Sequence, residues 1–80
     1  MQKQDLEKCV IAALEAHSGK ATIVQVAKFI WKTYEKELKT SGDLFFTWQY
    51  DIRWAANRLR HAGRIKAVEL SPKGFWELNK

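Results

Sequence analysis

The run 47-TWQYDIRWAANRLRHAG-63, continued by 64-RIKAVELSPKGFWELNK-80, decides the fold. In its first part Trp48, Ile52, Ala55, Ala56, Leu59 and Ala62 recur at three- and four-residue steps. On a helix turning about 100° per residue they share one side. Thr47 is an N-cap residue type and Gly63 a helix terminator, so a helix is expected from Thr47 to Ala62. After Gly63 the period changes to two. Arg64 to Leu70 is β-branched and alternating, Ser71-Pro72-Lys73-Gly74 is turn chemistry, and Phe75-Trp76-Glu77-Leu78 alternates again, which predicts a β-hairpin. A lone hairpin is marginal in water, so it must pack on the helices, with Trp76 and Leu78 as its docking residues.

Upstream, Leu6, Val10, Ala13, Leu14 and His17 form one helical stripe from about Gln4 to His17, ended by Ser18-Gly19. Cys9 lies at the edge of this stripe as a small buried thiol, two turns away from His17 and too far to share a site with it. Thr22 followed by Gln25 is a capping box. It opens a second helix carrying Ile23, Val26, Ala27, Ile30, Tyr34 and Leu38, which ends near Thr40-Ser41-Gly42. Lys20-Ala21-Thr22 is a short candidate edge strand. The order is α-β-α-α-β-β: mainly α with a small β-hairpin, an α+β class. That order is a winged helix-turn-helix, expected as a single domain over residues 1–80.

Eighty residues, 46% hydrophobic and 12% aromatic with one Pro and four Gly, exclude disorder, collagen and low-complexity linkers. The length is too short for the two lobes most enzymes use to enclose a substrate. No apolar run approaches the ~18–20 residues of a membrane span, and no secretory signal opens the chain. The single Cys forms neither an internal disulfide nor a zinc site, so a reducing cytoplasm is the expected compartment. Fourteen Lys and Arg against nine Asp and Glu give a net charge of +5. Arg53, Arg58, Arg60, Arg64 and Lys66 fall in one acid-free stretch, and the other charges cancel. Charge concentrated in this way is the pattern of a polyanion-binding surface.

The outer side of the third helix carries Tyr50, Arg53, Trp54, Asn57, Arg58 and His61. Asp51 stands at its margin, in the first turn, where the helix dipole favours an acid. Arg and Asn pair bidentately with guanine and adenine edges, and Tyr and His reach phosphates or stack. Gln49, Tyr50, Arg53 and Asn57 are therefore the candidate base contacts in a major groove. Arg58, Arg60, His61 and Arg64 would meet flanking phosphates, and Lys66 and Lys73 on the hairpin would reach the backbone or minor groove. Trp54 is read as structural, packed under the hairpin, because an exposed Trp is costly without a partner. Lys28, Lys32 and Lys36 share a face of the second helix but are interleaved with Glu35 and Glu37, and are read as solvated.

Trp54-Ala55, Leu59, Ala62-Gly63, then Lys73-Gly74-Phe75-Trp76 and Leu78 resemble the N-terminal domain of Mrr-type restriction proteins. That family shows a Trp-Ala-x-x-x-Leu-x-x-Ala-Gly stretch and a wing ending in a basic-Gly-hydrophobic-Trp-x-aliphatic run, and Arg53 before the tryptophan also fits. The similarity is strong over Gln49 to Leu78 and patterned over Gly19 to Ile30. It implies a winged-helix fold and a DNA-recognition role beside a separate bacterial restriction nuclease domain, whose acid-acid-lysine constellation has no room here. Arg64 departs from the aliphatic residue usual after the glycine and adds charge at the wing root. The ending Asn79-Lys80 lacks the Thr and Gly that often follow, which suggests either a stand-alone module or a piece cut from a longer protein.

The expected function is non-enzymatic binding of double-stranded DNA, with no cofactor and no metal. The expected setting is cytoplasmic and nucleoid-associated, with no membrane and with a nuclease or other effector domain as a partner in trans. The alternative is a winged-helix module for protein–protein interaction or dimerisation, using Trp54, Tyr50 and the wing aromatics. Catalysis is the weakest class. There is no phosphate-cradling glycine loop, no nucleophile beside a His with an orienting group, and no carboxylate pair on one face of the third helix.

Overall fold

The computed structural model describes residues 1–79; the terminal Lys80 lies outside the described residues. The order is α1 (Asp5–Ala16), β1 (Lys20–Thr22), α2 (Ile23–Lys39), α3 (Leu44–His61), a 3₁₀ turn (Val68–Leu70) and β2 (Phe75–Glu77). The fold is mainly helical, with one two-stranded antiparallel sheet, and is α+β in class. Leu6, Val10, Ala13 and Leu14 of α1 meet Val26, Ile30 and Leu38 of α2 and Ile52, Ala55, Ala56 and Leu59 of α3 in one core. Ala55 and Ala56 are fully buried, and α1 packs on both other helices. Cys9 is buried in this core, and burial pushes its thiol up to about 11, with the Asp5 carboxylate adding to the effect.

Local signals explain most boundaries. At the start of α2 the Thr22 hydroxyl accepts from the Gln25 amide at 3.1 Å while the Gln25 side chain accepts from the Thr22 amide at 2.9 Å, the expected capping box. After α3, Gly63 takes a φ of +76°, which lets Arg64 N–H reach back to Leu59 O at 2.8 Å and Gly63 N–H to Arg60 O at 3.0 Å. Six-to-one and five-to-two bonds of this kind close a Schellman motif, and the left-handed residue it needs is why glycine sits there. α2 bends at Tyr34, whose φ of −119° and ψ of 20° interrupt the helical run.

Three expectations need correction. The third helix starts at Leu44, not after Thr47: Leu44 is buried and extends the Trp48–Ile52 stripe one turn upstream, so packing overrides the missing side-chain cap at Asp43. Asp51 is thereby moved out of the first turn. It is a buried acid that accepts from the Thr47 hydroxyl at 2.7 Å.

The third correction concerns the hairpin. The predicted strand Arg64–Leu70 shrinks to a single bridge, Ile65 with Leu78, bracketed by Lys66 N–H to Glu77 O and Asn79 N–H to Arg64 O. From Ala67 the chain leaves the ladder, and Val68 and Leu70 stand exposed on the 3₁₀ turn. Only Ile65 has a buried surface to face; the later alternating residues have none. The observed order is α-β-α-α-β, with the 3₁₀ turn in place of most of the fifth predicted element. The main partner of β2 is instead β1, in the register Lys20 with Glu77, Ala21 with Trp76 and Thr22 with Phe75. Leu78 N–H extends that edge to Gly19 O at 2.7 Å. Trp76 is buried at 5% exposure against this pairing, and Leu78 packs on the core, so both docking residues serve as expected.

Candidate nucleic-acid interface

α2 and α3 are joined by the short turn Thr40-Ser41-Gly42-Asp43, with the Thr40 and Ser41 hydroxyls donating back to carbonyls of the last turn of α2. Both α1 and α2 pack against α3. The outer side of α3 is not one surface. Its two flanks have different neighbours.

The flank facing α1 is closed upon itself. Trp54 is half-buried with the Lys3 ammonium 4.4 Å from its ring centroid and the Arg58 guanidinium at 5.3 Å. Arg58 in turn donates to the Glu7 carboxylate at 3.0 Å. Trp54 is structural, as expected, but it packs against the start of α1 and not under the hairpin. Arg64 lies on the same flank, in a shallow groove with Gln4, Glu7, Lys8 and Leu59. His61 is exposed at the end of the helix.

The flank facing α2 carries Gln49, Arg53 and Asn57, all exposed, and half-buried Arg60. Gln49 and Arg53 rim a groove of about 570 Å³ whose other lining comes from Ile23, Val24, Ala27, Lys28 and Trp31 of α2 with Phe45, Trp48 and Ile52 of α3. Arg60 lines an adjoining groove with Ile23, Lys73 and Phe75. Neither groove has an acid in its lining. Arg60 is oriented by bonds from Nε to Lys66 O at 3.2 Å and from Nη1 to Asn57 Oδ1 at 3.4 Å. Among the described residues Lys28, Arg53 and Lys73 form no ion pair, whereas Lys66 is bonded to Glu77 at 3.2 Å. Tyr50, 77% exposed, stands on the crest between the flanks, and Phe46, 82% exposed, continues the crest toward the start of α3.

Of the ten sequence-derived site residues, the structure brings Gln49, Arg53, Asn57, Arg60 and Lys73 to one side, with Tyr50 beside them. Arg58 and Arg64 fall on the opposite flank, His61 stands exposed at the last position of α3 and lines neither groove, and Lys66 turns to Glu77 and the Ser18-Gly19 turn. Lys28, read from the sequence as solvated, is exposed, and it lines the same groove as Gln49 and Arg53; its place in the first turns of the helix that packs beside α3 is the signal for that position. No cluster of three or more His, Cys, Asp or Glu able to hold a metal occurs among the described residues, and no helix there is long and apolar enough to cross a membrane. Set beside known proteins, the chain matches no family model, no curated protein and no solved structure.

Proposed function

We propose that this domain is a winged helix that binds duplex DNA without catalysing a reaction, with the α2-facing flank of α3 in the major groove. The observation that carries the reading is the pair of adjoining grooves that hold Lys28, Arg53, Arg60 and Lys73 with no acid in either lining, beside exposed Gln49 and Asn57. A one-signed surface with amide and guanidinium groups projecting from a helix is what phosphate attraction and base-edge pairing require. Gln49, Tyr50, Arg53 and Asn57 meet bases, while Lys28, Arg60 and Lys73 meet phosphates. Arg58, Arg64 and Lys66 drop out of the contact set because of their acid partners or their flank.

The β1–β2 pair with Arg64–Lys66 on its outer edge supports the winged-helix reading, and the resemblance to Mrr-type N-terminal domains points the same way. In that setting the domain works in the bacterial cytoplasm, at the nucleoid, and places a nuclease or other effector domain on DNA in trans. A second reading, a protein-interaction surface, is favoured by the exposed crest of Phe46 and Tyr50, since aromatic residues of this kind anchor protein interfaces.

Titration against a random-sequence duplex at a series of salt concentrations separates the two. Three phosphate contacts give a log–log slope of about −2.7. A slope of zero, or no binding at low salt, contradicts the DNA reading and leaves the aromatic crest to a protein.

A further inference from the structure

The groove between α2 and α3 is apolar in the middle of a polar surface. Trp48 and Ile52 are its buried floor, Ala27, Trp31 and Phe45 its half-buried walls, and Lys28, Gln49 and Arg53 its rim. Val24, in the first turn of α2, opens onto it at 61% exposure. Contacts to phosphates and polar base edges leave such a trough unused, and an apolar trough with a polar rim is a place where a small apolar group of a ligand can be buried. In its major groove duplex DNA presents one apolar group, the C5 methyl of thymine. A cationic rim without an acid suits a partner that is anionic and carries methyl groups, which is the combination that thymine-bearing DNA offers.

We propose that this groove reads thymine methyl groups, making the domain selective for A·T pairs beside a G·C pair. The inference rests on the reading of α3 as the DNA-facing helix. Val24 meets the methyl over the floor of Trp48 and Ile52. Gln49, on the same rim, offers the acceptor and donor that match N6 and N7 of adenine, the base across the pair from thymine. Arg53 stands one turn further and matches O6 and N7 of guanine. Four residues advance a helix by about 6 Å, and base pairs follow one another every ~3.4 Å, so the two side chains address pairs one or two steps apart. Asn57 is less suited to adenine, because its Oδ1 already accepts from Arg60.

The probes are duplexes holding every arrangement of an A·T pair within two steps of a G·C pair, each made once with thymine and once with uracil. The exchange removes only the C5 methyl. The parent should bind the best thymine duplex about fourfold more tightly than its uracil twin for each methyl buried, equivalent to about 0.8 kcal/mol. Val24→Ala, with its melting temperature checked, should bring that ratio close to one. Arg53→Ala should weaken both twins alike. Equal affinity of the parent for both twins in every arrangement, while Arg53→Ala still weakens binding, overturns the thymine reading and leaves DNA binding standing. Binding to no duplex at all overturns both and gives the groove to a protein partner.

Discussion

The two flanks of α3 carry similar side chains and have opposite surroundings. Toward α1, Trp54 lies between Lys3 and Arg58, and Arg58 is bonded to Glu7. Toward α2, Arg53 and Lys28 share a groove with no acid in its lining. Arg58 must give up its Glu7 partner before it meets a phosphate, whereas Arg53 meets one at no such cost. The lesson is that residue type along a helix does not mark a binding surface. What marks it is whether the fold has already supplied the counter-charge.

The comparison can be broken first through the element that holds the open flank in shape. Trp76→Ala removes a buried indole from the β1–β2 pair and should cost about 3–5 kcal/mol in denaturant unfolding, a large share of what so small a domain possesses. An unchanged midpoint would show that β2 does not pin the loop carrying Lys73. Next in size is the pair Arg53→Ala with Asn57→Ala. Both residues are exposed, so stability should hold, while DNA affinity should fall by about 2–3 kcal/mol and any sequence preference should flatten. Loss of the fold instead would mean that the open flank is structural.

Trp54→Ala makes the converse cut. With its ring half-buried, about 2 kcal/mol of stability should go, below the cost for a fully buried Trp, and DNA affinity should stay as it was. A binding defect in a folded variant would place the closed flank on the DNA. Smallest is Glu7→Gln. The exposed pair with Arg58 contributes about 0.2–1 kcal/mol, so melting should barely move. Because Arg58 is then released, DNA affinity should hold or rise slightly at low salt; a fall in affinity would contradict the idea that pairing silences this flank.

Much of this was legible in the sequence, and what was not has a common cause. The stripes Leu6–Val10–Ala13–Leu14 and Ile52–Ala55–Ala56–Leu59 describe the core because helical burial repeats locally. The Thr22–Gln25 cap is likewise a matter of three residues. The start of α3 was misplaced because the helix is extended by burial of Leu44, not by a cap that a sequence displays. Alternation over Arg64–Leu70 fitted a strand, yet only Ile65 finds a partner, and β2 pairs with a segment more than fifty positions away. Division of the candidate site into two flanks is equally non-local. It depends on Lys3, Glu7 and Lys28, none of which is near Arg53 or Arg58 in the chain. Periodicity reports which side of a helix is outward and is silent about what stands opposite.

Arg53 and Arg58 provide the most direct measurement. They are arginines of one helix, both exposed, and differ in the flank they occupy. Affinity for one duplex should be measured at low salt for the parent, for Arg53→Ala and for Arg58→Ala, each confirmed folded by its melting curve. The account predicts that Arg53→Ala loses about tenfold, as a lost bidentate base contact does, while Arg58→Ala stays within about twofold of the parent. Equal losses, or a larger loss for Arg58→Ala, would contradict the claim that the α2-facing flank is the one that meets DNA.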